Sequence, residues 1–220
     1  MQILKNFSTL LLFLPIANVH SNYEYIEINA HNEYRHRILK LKNGVFFDDR
    51  DIEKNKTIIS EIFIGLENTN LIIESINLSN KNIGQDVIKL LINRLEKEIK
   101  TGLLAVELDL SYNKIDYNAL KYFFQILSST KLFRKFELEI INLSYNNISS
   151  FFEEHDSIEI LSNFIKSQEY LRILDLCGND NQIAAKIFFN LFEKIKFFEK
   201  FRLIELKLSK VKIEETSWKL

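Results

Sequence analysis

Self-similarity at long period is the feature that most narrows what this chain can become. Four related segments, SINLSNKNI at 75–83, ELDLSYNKI at 107–115, IINLSYNNI at 140–148 and ILDLCGND at 173–180, share one apolar pattern. Their equivalent apolar positions Ile76, Leu108, Ile141 and Leu174, followed by Leu206 in RLIELKLSKVKI, recur in steps of 32 or 33 residues. A sustained period of this length means stacked units, each too small to bury its own apolar side and completed by its neighbours.

Within a unit, apolar residues two apart fall on one side of a short strand, so Leu108 with Leu110 and Ile141 with Leu143 belong to a core. The residue between them faces the other way. On this phase Leu110→Asp destroys the fold, whereas Asp109→Leu is tolerated. Between the strands run i, i+3, i+4 patterns expected to be helical: Val87, Leu90, Leu91 and Leu95; Leu120, Phe123, Phe124 and Leu127; Ile158, Leu161, Phe164 and Ile165; and Ile187, Phe188, Leu191, Ile195 and Phe198. Asp116 is expected to cap the second of these, and Ser150 with Glu153 forms a capping box at the third.

These segments resemble the L-x-x-L-x-L-x-x-N-x-L core of leucine-rich repeats, in the helix-containing class typified by ribonuclease inhibitor. Ala105, Leu108, Leu110, Asn113 and Ile115 fill one unit, Leu138, Ile141, Leu143, Asn146 and Ile148 the next. Leu171, Leu174, Leu176 and Asn179 fill a third, in which Asn181 stands where an aliphatic residue belongs. Ile73, Ile76, Leu78 and Ile83 match with Lys81 in the Asn slot, and Leu203, Leu206, Leu208 and Ile213 match with Val211 there. The resemblance covers 73–213 and implies an α/β fold: a curved solenoid, a horseshoe segment with parallel strands on its concave face and helices on its convex face. Helices pack about 10 Å apart and strands about 4.8 Å, which forces that curvature. A structural ladder of Asn113, Asn146 and Asn179 is expected in the turns after the strands, with Lys81 and Val211 unable to continue it. The period exceeds the family's usual length by about one helical turn.

Three regions follow. Residues 1–21 read as a signal peptide, with Lys5 before the apolar run Phe7 to Ile16 and a cleavage after Ser21; the alternative is a buried N-terminal element of a cytoplasmic protein. Residues 22–72 form an N-terminal cap, with strands at 23–28 and 38–47, a helix at 51–66, and His36, Leu39, Leu41 and Phe46 as either a degraded sixth unit or part of the cap. Residues 73–220 hold five units and a short C-terminal cap around Trp218 and Leu220, with Lys207, Lys210 and Lys212 guarding the open edge. No later stretch reaches the ~18 apolar residues of a membrane span.

Charge and chemistry point to binding. Lys and Arg number 29 against 30 acidic residues, so no global field attracts nucleic acid. Cys177 replaces the Ser of other units, His31, Glu33 and His36 match no metal-site spacing, and the acidic start Glu153, Glu154 and Asp156 suits a helix dipole. The reading is a non-catalytic protein without cofactor or metal. Repeat arrays select partners with their inner-face residues, here Asn77, Glu107, Asp109, Tyr112, Asn142, Tyr145, Asp175 and Lys207, with Tyr112 and Tyr145 as neighbouring anchors. The expected partner is another protein, met outside the cell. The alternative is a structural component that self-associates through the ends of the array. Sequons stand at Asn55, Asn77, Asn142 and Asn147, two of them in the expected binding face.

Overall fold

A computed structural model describes residues 23–29, 35–67, 75–98, 107–129, 138–148, 154, 156–179 and 203–207. Two seven-residue strands, β1 (Tyr23–Asn29) and β2 (Arg35–Leu41), precede five three-residue strands: β3 (Ser75–Asn77), β4 (Glu107–Asp109), β5 (Ile140–Asn142), β6 (Ile173–Asp175) and β7 (Glu205–Lys207). They form one open sheet in chain order. β1 runs antiparallel to β2, and β2 to β7 are parallel. Ile76, Leu108, Ile141, Leu174 and Leu206 pair in succession across it. Leu39 pairs with Ile76, so the N-terminal region supplies a sixth parallel strand in the same phase despite its longer step in sequence.

Parallel neighbours need a crossover segment, and helices serve as those crossovers. α1 (Ile52–Glu67), α2 (Gln85–Glu98), α3 (Tyr117–Ser129) and α4 (Ser157–Ser167) follow β2, β3, β4 and β5. In α3 the buried set Ala119, Leu120, Phe123, Phe124 and Leu127 makes one face, as the helical period requires. These faces and the inward strand residues form a single core, in which Phe124 stacks on Phe164 at 4.5 Å. Each Leu or Phe fully buried there contributes about 1.5–3 kcal/mol.

Local chemistry sets several boundaries. The Asp116 carboxylate accepts the Ala119 N–H at 2.9 Å and caps α3. Asn55, fully buried at the start of α1, clamps the preceding loop: its oxygen accepts the Asp48 N–H at 2.9 Å and its amide donates to the Asp48 carbonyl at 2.7 Å. Asp156 lies at the start of α4 but gives that helix no side-chain cap. Its carboxylate instead meets the Lys121 ammonium at 2.6 Å, tying α3 to α4, and Lys121 also donates to the Tyr117 hydroxyl at 3.0 Å. The hydrogen bond from Lys121 lowers the Asp156 pKa, and the contacts to Asp156 and Tyr117 raise that of Lys121.

Three expectations need correction. The segment after Leu41 is a turn, not a strand continuing to residue 47; Gly44 takes φ +83° and the Val45 N–H bonds back to the Lys42 carbonyl. That turn shifts the alternation, so Phe47 is buried while Phe46 is 46% exposed. α4 begins at Ser157, too late for a capping box at Ser150 and Glu153, which lie outside the described residues. Lys81 continues the donating half of the asparagine ladder and not its accepting half, as described below. The N-terminal segment 1–22, Ile73, Ala105, the helix expected over Ile187 to Phe198 and the C-terminal cap also lie outside the described residues. Among those described, no helix is long and apolar enough to cross a membrane.

Candidate functional site

The parallel register sets equivalent residues of successive units side by side, about 4.8 Å apart. Asn77, Asp109, Asn142, Asp175 and Lys207 form such a row, half-buried on the side of the sheet opposite its core residues. Amides and carboxylates alternate along its first four positions, so within the row no carboxylate neighbours another. The Asn77 amide donates to Asp109 at 3.3 Å, and the Lys207 ammonium lies 3.9 Å from Asp175. Each of the first four also turns the chain by accepting the N–H two residues on, from Ser79, Ser111, Ser144 and Cys177 at 2.9–3.1 Å. This turn explains why the strands stop after three residues. It also gives Asp109 and its equivalents a structural duty that strand phase alone does not disclose. Glu107 lies in the same strand as Asp109, between Ser75 and Ile140.

Beyond the turn, the asparagine ladder closes the backbone. The Asn113 oxygen accepts the N–H groups of Lys81 and Ile83, and its amide donates to the carbonyls of Leu78, Leu110 and Ser111. Asn146 donates to Leu110, Leu143 and Ser144, and Asn179 to Leu143, Leu176 and Cys177. Lys81, 4% exposed, sends its ammonium to the Lys42 carbonyl at 2.9 Å. An ammonium has donors and no acceptor, so Lys81 replaces the donating half of an asparagine and not the accepting half.

One position of the turn recurs in the left-handed region: Asn80, Tyr112, Tyr145 and Gly178 have φ of 54°, 55°, 54° and 69°. A side chain there costs about 1–2 kcal/mol, and backbone bonds between turns impose it. The N–H groups of Asn80, Tyr112 and Tyr145 donate to the carbonyls of Ser111, Ser144 and Cys177 at 2.8–2.9 Å. The two tyrosine rings are held parallel, 6° apart in plane with centroids at 4.4 Å. The ring of Tyr145 rests on Gly178, where an added Cβ would come within 2.5 Å of it. Gly178 is therefore the floor of a short stack that includes Tyr112, which is 56% exposed.

Next to Tyr112 opens a depression of about 480 Å³ lined by Phe46, Asn80, Asn82, Tyr112, Asn113 and Lys114. The Lys81 ammonium sits 5.5 Å from the Phe46 ring centroid. The Asn82 amide donates to the Phe47 carbonyl at 2.8 Å and secures the loop that carries Phe46. Sequence reasoning anticipated the tyrosine pair and missed Phe46, Asn82 and Lys114. Only the Gly44 turn signalled that Phe46 leaves the core.

Among the four sequons, Asn55 is fully buried with its amide spent on Asp48, and the Asn77 amide is engaged by Asp109. Asn142 is half-buried within the polar row, whereas Asn147 is exposed. Cys177 is half-buried in the turn after β6. Among the described residues no three His, Cys, Asp or Glu side chains converge as a metal site would require. No protein-family model matches this sequence, and no curated protein matches it.

Proposed function

We propose that the chain is a leucine-rich-repeat array of the helix-containing class, a curved solenoid whose parallel strands line the concave side, and that this side binds another protein. The reading is of a binding module and not an enzyme. The stacked pair Tyr112 and Tyr145 carries it: two aromatic rings with hydroxyls, fixed by the neighbouring turns and bordered by the row from Asn77 to Lys207. Rigid aromatic groups beside polar ones are what interface anchors are made of, because little side-chain freedom remains to be lost on binding.

Affinity capture with the full chain, followed by identification of the retained protein, tests this reading. The double variant Tyr112→Ala/Tyr145→Ala is expected to weaken capture by more than about 2 kcal/mol, roughly thirtyfold in Kd. The thermal midpoint should stay within about 3 °C. Gln125→Ala, on the exposed side of α3, should leave both quantities unchanged. Normal capture by the tyrosine variant removes the proposed binding face. Self-association is the second reading, favoured by Ile204, 78% exposed next to β7. Mass growing with concentration in light scattering, indifferent to the tyrosines, places it ahead.

We also propose export, on the pattern of Lys5, Phe7 to Ile16 and Ser21. N-terminal sequencing of the native protein is expected to begin at or near Asn22, and any N-glycan should sit at the exposed Asn147. A native protein that retains Met1 overturns the export reading.

A further inference from the structure

The tyrosine stack has two ends of different character. One face of Tyr145 lies on Gly178, and Tyr145 and Tyr112 cover each other. Beyond Tyr112 the equivalent residue is Asn80, whose side chain carries no ring, and the depression opens there with Phe46 on its wall. The lining has clear chemistry. Asn113 spends its oxygen and its amide on five backbone groups, so it is wall and not ligand-binding group. Asn82 spends its amide on Phe47. The Asn80 amide makes no hydrogen bond, and the Lys114 ammonium no ion pair, among the described residues. Lys114 is the one charged side chain of the lining, which holds no carboxylate.

We infer that this depression takes an aromatic side chain of the partner protein, stacked on Tyr112 and bounded by Phe46, with a neighbouring carboxylate of the same partner segment held by Lys114. The inference rests on the protein-binding reading above and names what that site recognises. Offset stacking on an exposed ring favours a planar group over an aliphatic one. The volume of about 480 Å³ falls within the range of clefts that take small organic groups, and leaves room for an aromatic side chain with its neighbour. A nucleic-acid strand would also offer stacking rings, but it brings a phosphate with every base and needs several cations. This lining has one, on a chain with 29 basic and 30 acidic residues.

The test is a titration of the full chain with the peptide Ac-Gly-Trp-Glu-Gly-NH2, followed through the assigned ring resonances of Tyr112 and Phe46. Saturable shifts at both rings are expected, with binding weakened at least tenfold in Phe46→Ala and in Tyr112→Ala. The same peptide with Leu for Trp should leave the rings unmoved. Replacing Glu by Gln should weaken binding severalfold in the parent and not in Lys114→Gln. Equal shifts with the Leu peptide, or a Glu preference that survives Lys114→Gln, overturns the inference. So does adenosine monophosphate saturating the site where the peptide does not. If the peptide fails while Tyr112→Ala/Tyr145→Ala still loses the captured protein, the recognition chemistry falls and the binding face stands. Loss of neither removes both.

Discussion

Replacing Leu110 by Asp is expected to abolish the folded state under conditions where the parent is stable. Leu110 is fully buried between the half-buried Asp109 and the buried Ser111, and its N–H is held by the Asn142 carbonyl at 2.8 Å, so its side chain has no way to turn outward. The substitution forfeits about 1.5–3 kcal/mol of apolar burial and places an unpaired carboxylate in the core. The combined loss exceeds about 4 kcal/mol, comparable to the stability of many domains. The neighbouring change Asp109→Leu is not neutral, contrary to what alternation alone predicts. It removes the acceptor for the Ser111 N–H and for the Asn77 amide, a loss of about 1–3 kcal/mol. Urea unfolding followed by far-ultraviolet circular dichroism ranks parent, Asp109→Leu and Leu110→Asp in that order. Equal midpoints for the two variants would show the strand phase to be inverted.

Asn146→Leu is expected to be nearly as damaging, although it swaps one uncharged side chain for another of similar size. The Asn146 amide is shared among the carbonyls of Leu110, Leu143 and Ser144 at 3.0–3.3 Å, and its oxygen takes the Ile115 N–H at 3.0 Å. These backbone groups belong to two successive turns, and leucine satisfies none of them. Each buried group left without a partner costs about 1–3 kcal/mol, so the substitution should lose about 3–5 kcal/mol in urea unfolding. Lys81→Ala, at the end of the same ladder, removes the 2.9 Å bond to the Lys42 carbonyl and the contact with the Phe46 ring, but no accepting group, and should lose visibly less. Comparable losses at the two positions would mean that the ladder is not a graded series of contacts between turns.

What the chain discloses by itself is its phase. Alternation at Leu108, Asp109 and Leu110, repeated at Ile141, Asn142 and Leu143, sorts side chains to opposite sides of a strand because backbone geometry alone decides that sorting. The constant step between units then makes Tyr112 and Tyr145 neighbours, since parallel strands in register align equivalent positions. The same reasoning explains Asp116 as a cap, which needs only residues three apart. Contacts between side chains and distant backbone groups are another matter. That Lys81 reaches the Lys42 carbonyl, that Asn55 clamps Asp48 and is thereby closed to a glycan, and that Tyr145 lies on Gly178 all depend on where a turn sets each backbone atom. A single turn at Gly44 exchanges Phe46 for Phe47 in the core and so builds the wall of the depression beside Tyr112. Periodicity states which side of an element a residue occupies. Only packing brings segments some thirty to forty residues apart within hydrogen-bonding distance, and it is there that the polar partners and the shape of the surface around Tyr112 are decided.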